Sequence, residues 1–200
     1  SENVDEIATV LKLFPERKDY LDVYEHFGLV KKNTLLGHGI KFSDSEWERV
    51  KASQASLVHC PTSNLFLGSG LFDLEKCLNM QIPVALGSDV GGGTSFSMLK
   101  TASAAYQVAS LRAFKPDAFV LFYMLTLGGA KALGLDDKIG NFEVGKDADF
   151  ILIDLEKQDI LSQRVAETKK LKEVLFALMM LGDDRNIDSV YLMGEKVINS

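Results

Sequence analysis

Three short apolar runs in this chain each end on a side chain that binds metal or moves protons. Val84-Ala85-Leu86-Gly87-Ser88 delivers Asp89, Thr34-Leu35-Leu36-Gly37 delivers His38, and Ser56-Leu57-Val58 delivers His59. Each run has the β-type character of a buried strand, and α/β barrels keep their chemistry at the C-terminal ends of such strands. One ending of this kind is weak evidence; three in succession mark a site. A carboxylate is a hard ligand for zinc or iron and a base toward water that such a metal has acidified. An Asp after a strand often caps the next helix, but here that helix begins near Ser97, out of reach of Asp89, so chemical use is the better reading. His38 stands between Gly37 and Gly39, which carry no side chain to screen its ring. His59 precedes Cys60-Pro61 and admits two readings, a functional imidazole or one that braces the loop through hydrogen bonds.

The other candidates are blander. His26 falls at a helix C-terminus, where its charged form suits the dipole. Gly91-Gly92-Gly93 is followed by no Lys-Ser/Thr, so it is no phosphate-binding loop. Met179-Met180 reads as core or packing surface. His38, His59 and Asp89 together supply the three protein ligands that a catalytic zinc needs as a minimum, but the chain has neither His-x-His nor His-x-x-x-His. On the residues alone the metal centre is incomplete.

The elements that must position these groups follow a strand–helix rhythm. An amphipathic helix from Glu2 to Leu13, with Val4, Ile7, Ala8 and Leu11 on one side, is capped by Ser1 or Asn3 and ended by Phe14-Pro15. A short helix from Asp19 to Phe27 closes at Gly28. Strand 34–37, helix Asp44 to Ser53 (capped at Ser43 or Asp44), strand 56–59, a loop from Cys60 to Ser69, helix Asp73 to Met80 and strand 84–87 then alternate. Apolar, non-alternating strands of this kind belong to a parallel sheet covered on both faces. Helices are predicted at Ser97–Leu111, Pro116–Leu127, with Pro116 in the first turn, and Gly129–Leu133. The turn-rich stretch 139–149 changes the character. Strand 150–153, helix Thr168–Leu181 with an apolar face of Leu171, Val174, Leu175 and Leu178, and a Ser189–Ile198 hairpin turning at Met193-Gly194-Glu195 complete the chain. The fold class is α/β: a barrel half over 1–138 and a small β domain with a C-terminal helix over 139–200.

Two hundred residues, 46% hydrophobic and 25% charged, describe a globular chain without a disorder signature. A formal charge of −6 disfavours attraction to nucleic acid or anionic membrane. No apolar run is long enough to span a bilayer and no signal peptide is evident. Two cysteines without a CxxC fit a reducing, cytoplasmic setting. A strand–helix chain that opens on a helix, at Ser1-Glu2-Asn3-Val4-Asp5, is expected to be the C-terminal segment of a longer protein.

These motifs in their order resemble the amidohydrolase superfamily: Ser1-Glu2 before a helix, Gly37-His38-Gly39, His59-Cys60-Pro61-Thr62-Ser63-Asn64-Leu65, Gly87-Ser88-Asp89-Val90, and the return segment Ile139 to Asp149. Leu181-Gly182-Asp183-Asp184-Arg185-Asn186-Ile187 narrows the resemblance to the zinc-dependent guanine deaminases of that superfamily. The resemblance spans essentially the whole chain. It implies strands six to eight of a (β/α)8 barrel, one zinc ion, a small-molecule purine substrate and a homodimeric enzyme. Asp89 then matches the metal ligand after the eighth strand and acts as a base, Glu2 matches the catalytic Glu of a His-x-x-Glu motif, and His38 matches the sixth-strand His at the reacting centre. All three also contact substrate, and His59 is a possible supporting residue. The other metal ligands are expected upstream, and so the 200-residue chain alone is expected to be inactive. The implied reaction is hydrolytic deamination of guanine to xanthine and ammonia. Two other readings stay open: a superfamily member acting on another nitrogen heterocycle (a triazine, a cytosine or an adenosine analogue), and a non-catalytic half-barrel with an exposed apolar edge.

Overall fold

The computed structural model describes residues 1–199. Helix α1 (Val4–Leu13) starts at Asn3, whose side chain accepts the Glu6 N–H, and α2 (Tyr20–His26) starts in the same way at Asp19. The predicted apolar side of α1 is only half covered. Ile7 and Leu11 are partly buried, whereas Val4 and Ala8 face outward, because α2 packs on one flank and nothing else among the described residues covers the rest.

Three parallel strands follow, β1 (Leu35–Gly37), β2 (Ser56–His59) and β3 (Val84–Leu86), hydrogen-bonded in the order β1-β2-β3. Their register sets Leu36 beside Leu57 and Leu57 beside Val84, one apolar row facing the helices. The crossover between β1 and β2 contains α3 (Asp44–Ser53), held at its start by a reciprocal Ser43–Glu46 capping box and stopped at Gln54 with φ +58. Its inward face is Trp47 and Val50, packed on Leu57, Phe72 and Leu74 in the main core. Full burial of each such side chain contributes roughly 1.5–3 kcal/mol.

The segment read as a loop from Cys60 to Ser69 instead contains a helix, α4 (Pro61–Phe66). Pro61 occupies the first helical turn, where its missing N–H costs nothing. Six uncharged residues without a side-chain cap give no periodic signal to read. Helix α5 (Leu74–Asn79) then leads into β3.

After β3 come α6 (Met98–Leu111), α7 (Ala118–Leu125) and α8 (Leu127–Leu133). Pro116 lies one residue before the Asp117 cap of α7 and not within its first turn. The antiparallel sheet has the order β4 (Phe150–Ile153), β5 (Ile187–Leu192), β6 (Glu195–Asn199). Phe150 stacks on its register partner Tyr191 with ring centroids 4.5 Å apart. The hairpin turns at Met193 and Gly194, both at positive φ (+52° and +82°), which suits the twist of the two strands.

Between β4 and β5 lie two helices where one is predicted. Helix α9 (Asp159–Ala166) buries Leu161 but leaves Ile160 exposed, too sparse an apolar pattern to announce itself. Helix α10 (Leu171–Leu181) begins three residues later than expected, because Thr168 closes the end of α9 by bonding the Val165 carbonyl and Lys170 is extended. Leu171 is exposed, and the buried face is Ala177, Leu178 and Met179. This helix packs on α6 and α7: Phe176 meets Tyr106 edge-on at 5.1 Å, and Lys172 pairs with Asp117. Among the described residues no helix is long and apolar enough to cross a membrane.

Candidate active site

The C-terminal ends of β1, β2 and β3 open toward one place. His38 N donates to the Val58 carbonyl at 2.9 Å, extending the ladder one residue past Gly37 before the chain turns at His38 with φ +67. Asp89 also has positive φ (+49°). Side chains at positive φ are uncommon and cost on the order of 1 kcal/mol or more each. Both lie where a strand stops and a side chain must be aimed at its neighbours.

Two glycines make the approach possible. A Cβ on Gly87 would fall 2.7 Å from Val58 Cγ1 and 3.3 Å from Cys60 Sγ. A Cβ on Gly93 would fall 1.8 Å from the Ser88 carbonyl oxygen, because the glycine-rich loop folds back so that Gly93 N–H donates to the Asp89 carbonyl. That loop leaves the Asp89 side chain on the surface of the site.

Glu2 reaches the same place from the other end of the chain. The Ser1 carbonyl accepts the Ile40 N–H at 3.0 Å and Glu2 N–H donates to Glu6 Oε2, which anchors the segment before α1 beside the turn after β1. Glu2 Oε1 then accepts from Ser69 Oγ at 2.8 Å and from Asn64 Nδ2 at 3.2 Å. The His38 ring lies between two carboxylates: Nδ1 is 3.7 Å from Glu2 Oε1 and Nε2 is 3.7 Å from Asp89 Oδ2. An imidazole held between two carboxylates at the ends of parallel strands is an arrangement suited to moving protons.

The structure thus brings Glu2, His38 and Asp89 together, and it sets His59 apart. His59 is buried against Phe72, the rings stacked 4.6 Å apart, and neither ring nitrogen has a partner among the described residues. Burial, reinforced by His38, pushes its pKa down to about 3. Among the described residues it therefore neither braces the loop by hydrogen bonds nor joins the His38–Cys60–Asp89 cluster, because β2 turns it toward the helices. Its neighbour Cys60 is the residue that converges with His38 and Asp89, their donor atoms all within 4.8 Å of one another. Burial raises the Cys60 thiol to about 12, with the charge of Asp89 adding to the effect.

Among these groups Asp89 is the one that could hold a divalent metal. Its carboxylate accepts no hydrogen bond from the described residues and is 41% exposed, so its lone pairs stay open to a cation. Sequence reasoning missed Asn64, Ser69 and Cys60 as members of the site. The available signal was an uncharged polar run directly after a strand that ends on histidine.

The sequence pattern of the amidohydrolase family matches residues 1–197. The chain is 45% identical over 196 residues to the guanine deaminase of Escherichia coli K12, a match covering 98% of this chain and 45% of that protein. The solved structure of E. coli guanine deaminase superposes with a TM-score of 0.98 at 44% identity, over 100% of this chain and 47% of that one. A guanine deaminase from C. acetobutylicum, solved with guanine in its active site, superposes with a TM-score of 0.87 at 36% identity, over 99% of this chain and 47% of that one. The chain spans about half the length of the relatives it matches.

Proposed function

This chain belongs to the amidohydrolase family, and from that membership we propose that it forms part of a zinc-dependent deaminase converting guanine to xanthine and ammonia. The observation that carries the reading is the Glu2–His38–Asp89 constellation at the ends of parallel strands, in a chain this similar to guanine deaminases. In this reading β1, β2 and β3 are strands six, seven and eight of a (β/α)8 barrel whose C-terminal half is residues 1–138, and 139–200 hold the strands of a small β domain with a C-terminal helix.

Asp89 would hold the single zinc ion, with the remaining ligands supplied by the part of the enzyme that precedes these residues. Held there, such an ion would supply Lewis-acid charge, which brings the pKa of water toward neutrality. Asp89 would take the proton that the attacking water loses as its oxygen bonds to C2 of guanine. Glu2, held by Ser69 and Asn64, would relay that proton to the adjacent ring nitrogen, and then the second proton of the water, lost from the new C2 hydroxyl, to the departing amine. The bond from C2 to its exocyclic nitrogen breaks, and ammonia leaves. His38 orients the oxygen that develops charge at C2.

The test is xanthine and ammonia formation by the complete gene product that contains this sequence. Asp89→Asn is expected to lower kcat by about 10²–10⁴-fold. Near-normal turnover in that variant would remove Asp89 from the chemistry. Turnover of another nitrogen heterocycle with none of guanine would keep the family and change the substrate.

A further inference from the structure

Asn64 is 1% exposed on α4, and its amide nitrogen lies 3.2 Å from Glu2 Oε1 and 2.9 Å from His38 Nδ1. A carboxylate oxygen can only accept, and Ser69 Oγ already donates to the same Glu2 oxygen at 2.8 Å. Turning the amide over would set its carbonyl oxygen against Glu2 Oε1, oxygen facing oxygen with no proton between them. On its other side the Asn64 Oδ1 has no partner among the described residues, so nothing there rewards the reversed orientation. The amide –NH2 therefore faces both Glu2 and His38, and the His38 atom that it meets must accept.

We infer that Asn64 is a positioning residue that fixes the neutral His38 ring as its Nε2–H tautomer. One carboxylate thereby sets an amide, the amide sets an imidazole, and the imidazole presents a donor toward Asp89 and the place where the oxygen added at C2 gains charge. The reversed tautomer would present a lone pair there, which repels an oxyanion instead of stabilising it. The tautomer itself follows from the hydrogen bonds; only its consequence for turnover rests on the deaminase reading.

The experiment is nitrogen NMR of ¹⁵N-histidine-labelled complete gene product at mildly alkaline pH, with the His38 signals identified by their loss in His38→Gln. The wild-type ring is expected to show a protonated Nε2 and a bare Nδ1. Asn64→Asp keeps the shape but replaces the donor by an acceptor, and is expected to move the proton onto Nδ1. Its kcat for xanthine formation is expected to fall about 10²–10⁴-fold, the range that a positioned proton donor contributes, with KM changed within about threefold. A wild-type ring protonated on Nδ1, or an Asn64→Asp ring still protonated on Nε2, overturns the assignment. A switched tautomer with kcat unchanged overturns the positioning role. If Asn64→Asp does not fold, the wild-type spectrum alone decides. A wild-type enzyme that shows the Nε2–H tautomer but no deamination of guanine supports the assignment and removes the deaminase reading.

Discussion

Adding one methyl group at Gly93 tests whether the glycine-rich loop aims Asp89. A Cβ there falls 1.8 Å from the Ser88 carbonyl oxygen and 2.9 Å from that of Asp89. Both are backbone atoms, which cannot swing aside as the end of a flexible side chain does. Real Cβ contacts essentially never fall below 3.0 Å, so relief requires about 1.2 Å of movement between Gly93 and the segment carrying Asp89. The same movement stretches the Gly93 N–H bond to the Asp89 carbonyl, which closes the loop. A misplacement of about 1 Å in a reacting geometry costs about 10²-fold in rate. Gly93→Ala is therefore expected to lower kcat for xanthine formation about 10²-fold in the complete gene product, with about 1–3 kcal/mol lost in urea denaturation from overpacking. Gly91→Ala is the control: its φ of +127° makes alanine strained, but a Cβ there meets nothing within 4 Å. Turnover of Gly93→Ala within about threefold of wild type would refute the argument. An equal loss in Gly91→Ala would refute it too, by making strain and not collision the cause.

Three further outcomes are expected. Glu46 is buried and accepts from Leu21 N–H through Oε1, and from Ser43 N–H and Ser43 Oγ through Oε2, so it joins α2 to the start of α3. Glu46→Ala leaves those amides unsatisfied and should cost about 2–4 kcal/mol in urea melts, and a loss below about 1 kcal/mol would show that water replaces the carboxylate freely. Asp183 accepts from Arg185 and from Gln158 Nε2, and the Arg185 guanidinium foremost holds its pKa at about 2, below the ordinary 3.8. A carboxyl depressed on folding contributes stability that is complete above its unfolded value and is lost as pH falls through the folded one. Asp183→Ala should therefore melt below wild type near neutrality, with the gap closing between about pH 4 and about pH 2; a gap that does not change over that range would assign the effect to something other than the Arg185 pair. Finally, Leu35 on β1, Phe66 on α4 and Phe96 after the glycine-rich loop are all exposed. The 200-residue chain by itself is expected to self-associate in analytical ultracentrifugation, and a monodisperse monomer at high concentration would show that these apolar surfaces are tolerated in water.

The parts of this molecule that were legible in the sequence are those where one local signal is enough. Ser43 and Glu46 announce the start of α3, Asp19 and Gly28 bracket α2, and three apolar runs ending on His38, His59 and Asp89 announce a parallel sheet. The helix α4 was hidden because six uncharged residues opening on a proline carry neither a cap nor a period, and α9 because one of its few apolar residues, Ile160, points outward. At the site the limit is of another kind. His59 has the same credentials as His38, a histidine closing an apolar strand, and only the register separates them. His59 is still within β2 and pairs with Leu86, so it faces the helices, whereas His38 lies one residue past the end of β1 and turns through positive φ to lie between Glu2 and Asp89. Asn64 and Ser69 were unreadable because their meaning depends on Glu2, more than sixty positions away, which gives each of them an oxygen to donate to. A strand ending tells where chemistry is possible. Which ending is used, and which proton it presents, is decided by neighbours that only the folded chain brings together.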